Sequence, residues 1–75
     1  MARAHFLRTQ SNAFRLYLKA AEAGFSASQF NVGTCYDMGW GVGKNQEEAL
    51  KWYRKASAQG CKLADDMISK LTKKK

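Results

Sequence analysis

The 75-residue chain repeats itself: Ala13, Tyr17, Lys19, Ala20 and Gly24 return 36 residues later as Ala49, Tyr53, Lys55, Ala56 and Gly60. A period in the thirties, with alanines and aromatics at helical spacing and a glycine at the end, is the pattern of stacked helical hairpins. A single hairpin of this kind cannot bury its own apolar face, so each helix must lie against its chain neighbours. Strands do not compete, because no β-branched alternation runs for five residues, and proline is absent. The sequence therefore predicts an all-α fold, a short α-solenoid of antiparallel helical hairpins. At this length it is one domain with a small core.

Four helices are expected, near residues 10–23, 27–38, 46–59 and 62–72. Residues 1–9 read as a basic N-terminal extension or frayed helix, 10–72 as the repeat domain and 73–75 as a basic tail. Thr9 or Asn12 can cap the first helix, and Ala13, Leu16, Tyr17, Ala20 and Ala21 form one apolar stripe along it. Gly24 ends that helix. Ser26 with Gln29 has capping-box spacing for the second, whose inward residues are Ser28, Val32, Gly33 and Tyr36. Asn45 with Glu48 caps the third, Ala49, Trp52, Tyr53 and Ala56 repeat the stripe, and Glu47 with Lys51 makes an i,i+4 pair. Gly60 closes it. The fourth turns Ala64, Met67, Ile68 and Leu71 inward.

Between the second and third helices, Gly39 and Gly41 interrupt the helical spacing and specify a bend, while Gly33 permits another helix to approach closely. These residues resemble the Sel1-like repeats, relatives of the tetratricopeptide repeats. The likeness rests on the run from Ala27 to Asn45, with Gly33, Tyr36, Gly39 and Gly41, and on the run from Glu48 to Gly60, with Ala49, Trp52, Tyr53, Ala56 and Gly60. It covers residues 13 to about 71 and contains one full repeat, 25–60, with a half repeat on either side. Asn45 replaces the usual aspartate, Ser28 and Ser57 replace alanines, and Met67-Ile68-Ser69 lacks the leucine-glycine pair. That last departure suggests that the fourth helix is a terminal cap. The resemblance implies a protein-interaction scaffold or adaptor without cofactors.

Catalysis finds no support in the residues. His5 has no fixed partner, Glu47-Glu48 and Asp65-Asp66 are adjacent and diverge by about 100° on a helix, and no phosphate-cradling glycine loop follows a strand. Two cysteines and one histidine do not make a four-ligand zinc site, so Cys35 and Cys61 are read as reduced thiols. A reducing compartment, the cytoplasm first and an organelle as alternative, is the expectation. No apolar run reaches the roughly 20 residues of a membrane span, and no signal-peptide h-region opens the chain.

Helical steps of 100° place Ala27, Phe30, Asn31, Thr34 and Met38 opposite the inward stripe of the second helix. With Trp40 they are the candidate groove for a peptide or a partner helix. Phe14 and Leu18, beside the stripe of the first helix, are expected to be uncovered and to provide an association face, with an isologous homodimer as the simplest closed form. The net charge of +7 raises nucleic acid or a ribonucleoprotein as the alternative partner. The surplus lies at the two ends, +4 in residues 1–21 and +3 in 62–75, with a neutral middle, as solvated tails would have it.

Overall fold

The computed structural model describes the backbone of residues 2–73 and the side chains of residues 12–73. Four helices follow one another: α1 Ala2–Glu22, α2 Ser26–Met38, α3 Gln46–Ala58 and α4 Lys62–Thr72, with no strand among the described residues. α1 packs on α2, α2 on α3 and α3 on α4. The array measures 39 × 32 × 15 Å, so the helices form a slab rather than a round bundle. This is the expected short solenoid.

The first helix differs from expectation at its start. Its backbone runs from Ala2 through Thr9 and Asn12, so neither residue caps it. Residues 2–9 contain neither glycine nor proline to stop a helix, and Ala2, Ala4, Leu7 and Arg8 all favour one. The side chains of residues 1–11 and the end of the basic tail, 74–75, lie outside the described residues.

α2 uses no capping box. Its N-cap is Phe25, in extended backbone without a side-chain cap, and the Gln29 N–H donates to Phe25 O at 3.0 Å. The Gln29 side chain is diverted elsewhere: buried, it donates to Ala21 O at 3.2 Å and accepts from Gln59 Nε2 at 2.9 Å. Gln59 also donates to Gly24 O at 2.7 Å. These bonds tie the ends of α1 and α3 to the start of α2. By contrast, Asn45 caps α3 as its sequence indicates, its Oδ1 accepting from the N–H groups of Glu47 and Glu48 at 3.1 and 3.2 Å. The Glu48 carboxylate does not return to the Asn45 N–H, which donates to Tyr36 O instead. The ion pair on α3 joins Lys51 to Glu48 at 3.4 Å, not to Glu47.

The bend between α2 and α3 is built on positive φ, 75° at Gly39 and 73° at Gly41, where side chains strain the backbone. The Gly39 and Trp40 N–H groups both donate to Cys35 O, at 2.7 and 2.9 Å, satisfying the last turn of α2.

Two clusters make the core. Phe14, Ala21, Val32 and Cys35 join α1 to α2, with Leu18, Tyr36, Val42 and Trp52 packed on them. Ala49, Tyr53, Ala56 and Ala64 join α3 to α4, with Phe30, Tyr36, Met67, Ile68 and Leu71 around them. Tyr36 belongs to both, and its ring stands nearly perpendicular to that of Phe14, at 85° with the ring centres 5.5 Å apart. The inward residues expected on α2, α3 and α4 are therefore buried or half-buried.

Gly33 is where α2 and α3 approach. A Cβ there would stand 2.7 Å from the Tyr53 ring and 3.2 Å from Ala49 O. Gly33→Leu is expected to cost at least about 1–3 kcal/mol through overpacking, read as a lower denaturation midpoint. Gln59→Ala leaves the buried Gln29 oxygen without its donor and should cost about 1–2 kcal/mol by the same measurement.

Candidate functional site

α1 and α2 are held together along Phe14, Leu18 and Ala21 on one side and Val32, Cys35 and Tyr36 on the other. Beside that seam they diverge, leaving a cleft of about 200 Å³ lined by Ala13, Tyr17, Asn31, Thr34, Cys35 and Trp40. Ala13 is too short to fill it. The glycine bend carries Trp40 to its rim, where the indole is 49% exposed.

Of the six residues expected to form a groove, the cleft gathers Asn31, Thr34 and Trp40. Phe30 turns away into the core, its ring 5.5 Å from that of Tyr53. Ala27 and Met38 are exposed but do not line the cleft. The reason is that α2 is packed on two sides, by α1 and by α3, so the side opposite one partner belongs to the other.

Phe14 and Leu18 are not an exposed association face. Phe14 is 9% exposed and Leu18 half-buried, both in the α1–α2 core. What α1 leaves open is most of the stripe read as its inward face, with Leu16 68% and Tyr17 39% exposed and Ala13 and Ala20 half-buried. Both faces of α1 are apolar, and only one of them has a helix against it among the described residues. Sequence reasoning missed Ala13, Tyr17 and Cys35 as cleft residues because periodicity marks an apolar face without telling which neighbour covers it.

Among the described residues, none that lines the cleft is charged. Thr34 Oγ1 donates to Phe30 O at 3.1 Å and accepts from the Tyr53 hydroxyl at 3.3 Å, so it is occupied. The Tyr53 hydroxyl also lies 3.5 Å from Asp37 Oδ2, and Asp37 accepts from Gln46 Nε2 at 3.3 Å. Burial above all, with Asp37 adding to it, raises the Tyr53 pKa, against the lowering effect of the Thr34 hydrogen bond. Burial likewise raises that of Cys35. Such a thiol is neutral near pH 7, and no base stands beside it among the described residues that line the cleft. The arrangement can hold an apolar or aromatic group and offer it an amide at Asn31; the described residues that line it include no nucleophile and base pair.

Elsewhere, no group of three His, Cys, Asp or Glu side chains able to hold a metal occurs among the described residues, and no described helix is long and apolar enough to cross a membrane. Cys35 and Cys61 are free thiols, the first buried and the second half-buried at the N-cap of α4. Cys61 should therefore alkylate well before Cys35 at neutral pH, a difference removed by denaturant. Mass spectrometry of a timed iodoacetamide reaction reads the order, and equal rates in the folded chain would contradict the burial of Cys35.

The sequence profile of the Sel1 repeat matches residues 10–25 and 26–61. The chitin synthase regulator SKT5 of Saccharomyces cerevisiae is 41% identical over 59 residues, 79% of this chain and 8% of that protein. The DAP3-binding cell death enhancer 1 of Rattus norvegicus is 37% identical over 62 residues, 83% of this chain and 12% of that protein. The chain thus spans about a tenth of the length of these relatives. A crystal structure of a Sel1 repeat protein from Oxalobacter formigenes superposes with a TM-score of 0.80 at 48% identity, covering 83% of this chain and 26% of that one. Profile, sequence relatives and solved fold agree: the chain belongs to the Sel1 repeat family.

Proposed function

We propose that this chain is a non-catalytic interaction module that holds a segment of another protein in the cleft between α1 and α2. The observation that carries the reading is the composition of that cleft, a recess whose described lining is uncharged, with a half-exposed tryptophan on its rim and the exposed Tyr17 in its wall. Aromatic anchors of this kind, seated beside a concave apolar surface, supply most of the energy of protein recognition. The relatives support it: one is named a regulator of chitin synthase and the other a DAP3-binding protein, and both names describe action through another protein. The free thiols Cys35 and Cys61 fit a reducing compartment, which we propose as the setting.

The basic residues favour nucleic acid less. Lys55 Nζ sits 5.2 Å from the centre of the Trp52 ring and Lys51 pairs with Glu48, so part of the positive ridge on α3 is engaged locally. Salt separates the two partner classes. Immobilised chain challenged with nuclease-treated and untreated cell extract should retain the same protein ligands at 50 and 200 mM salt, with Trp40→Ser lowering retention severalfold. Retention of nucleic acid instead, falling by orders of magnitude across that range, would replace this reading with the phosphate-binding one.

A further inference from the structure

The joints α1–α2 and α3–α4 stand 36 residues apart in the internal repeat, yet their facing residues differ in chemistry. Ala21 and Gln29 in the first are in the register of Ser57 and Asp65 in the second. In the first joint both residues are buried, and the Gln29 amide donates to the Ala21 carbonyl. In the second, Ser57 is half-buried in the last turn of α3, and its hydroxyl donates to the carboxylate of Asp65, exposed in the first turn of α4. A neutral pair has become a hydroxyl against an acid, at a position where the repeat pattern has alanine.

The stretch ahead of Ser57 is basic. Arg54 and Lys55 stand three and two residues before it, Lys51 six before, and no acid occurs between Glu48 and Asp65. Protein kinases choose among serines partly by charge: an acidic substrate channel takes a guanidinium through paired hydrogen bonds and rejects carboxylates. Arg54 and Lys55 are both exposed. Such an enzyme holds its substrate extended, so the last turn of α3 has to open. The joint is lightly built there. Its fully buried residues at this end are the small Ala56 and Ala64, with Met67, Ile68 and Leu71 only half-buried, and segments with few buried apolar contacts open at low cost.

We propose that Ser57 is a phosphorylation site for a basophilic serine kinase, and that the phosphoryl group parts α4 from α3. Ser57 Oγ attacks the γ-phosphorus of a nucleoside triphosphate bound by that enzyme. The bond from this phosphorus to the diphosphate oxygen breaks, the diphosphate leaves, and the hydroxyl proton passes to the kinase's base. The donor to Asp65 is then gone, and a group of charge about −2 stands against that carboxylate. It also sits at the C-terminal end of α3, where the helix dipole is negative. Closing the joint would press the two anions together, so the phosphorylated chain keeps it open. The cations nearest in sequence, Arg54, Lys55 and Lys62, are exposed to water; Lys55 lies over the Trp52 ring, and among the described residues none of the three stands within ion-pair distance of Asp65. None of the described residues lining the cleft between α1 and α2 belongs to α4, so phosphorylation and ligand binding at the cleft are separable.

The test treats the full chain with the catalytic domain of an arginine-directed serine kinase and magnesium ATP, and maps the product by mass spectrometry. Arg8 precedes Ser11 by the same three residues, so Ser11→Ala serves as the parent throughout. Phosphoryl transfer to Ser57 is expected, abolished by Ser57→Ala and slowed severalfold by Arg54→Ala. Circular dichroism of Ser57→Ala should match the parent, since Asp65 is exposed and water replaces the lost donor. Hydrogen exchange then reads the joint: the amides of α4 should exchange about tenfold faster or more in the phosphorylated chain, while those of α1 and α2 keep their rates. With Asp65→Asn that acceleration should shrink severalfold, because the facing charge is gone. Failure of transfer to Ser57 overturns the proposal. So does slower exchange of α4 after transfer, which would mean that Lys62 and the first turn of α4 capture the phosphate. Equal acceleration in all four helices would mean general unfolding rather than a parted joint, and acceleration indifferent to Asp65→Asn would remove the repulsion; either result overturns it as well.

Discussion

The array depends on one close approach, the backbone of Gly33 against the ring of Tyr53. With no side chain at Gly33, α2 and α3 come near enough for the ring to be fully buried and for its hydroxyl to reach Thr34 and Asp37. Packing and polar satisfaction are therefore coupled: a ring displaced from Gly33 would lose both its apolar contacts and its hydrogen-bond acceptors. Phe30, stacked on the same ring at a tilt, is drawn into the core by that contact, and this removes it from any groove. Tyr36 then links the α2–α3 seam to the α1–α2 seam, so one contact propagates through three helices.

A repeat array has two ends, and their chemistry here is unlike. α4 closes its side with exposed polar residues over a half-buried row of Met67, Ile68 and Leu71, whereas α1 presents Leu16 and Tyr17 outward. On α1 that apolar pair is flanked by the exposed Asn12, Arg15 and Lys19. The cleft lined by Ala13, Tyr17, Asn31, Thr34, Cys35 and Trp40 lies at the α1 end. Near the inner turns, Gln29 donates to the Ala21 carbonyl, which also accepts from the Gly24 N–H, and Gln59 donates to the Gly24 carbonyl, so the helix ends are joined without charge.

Much of the fold was legible in the chain. The period of 36 residues announced stacked hairpins, the glycines located the bend, Asn45 marked the start of α3, and the inward rows of α2, α3 and α4 followed from helical spacing. The candidate site was legible only in part. Asn31, Thr34 and Trp40 meet in the cleft, but Phe30 does not, and Ala13 and Tyr17 enter it from a helix assigned to the core. Phe14 and Leu18 exchanged roles with Leu16 and Tyr17 because α1 has two apolar faces, and hydropathy ranks neither above the other. Gln29 followed the same logic: its spacing from Ser26 suited a cap, yet a second-helix glutamine within reach of Ala21 and Gln59 serves three helix ends.

By itself, the sequence determined the helices, their antiparallel succession and the repeat register, since these follow from local propensity, spacing and glycine backbone freedom, all of which act within a few residues. Only the tertiary structure decided which apolar face of each helix is covered, which residues meet at the cleft and where the buried amides find partners. Those outcomes depend on contacts between residues up to 35 positions apart, such as Gln59 with Gly24, and a helix with two apolar faces carries no local record of which neighbour it will meet.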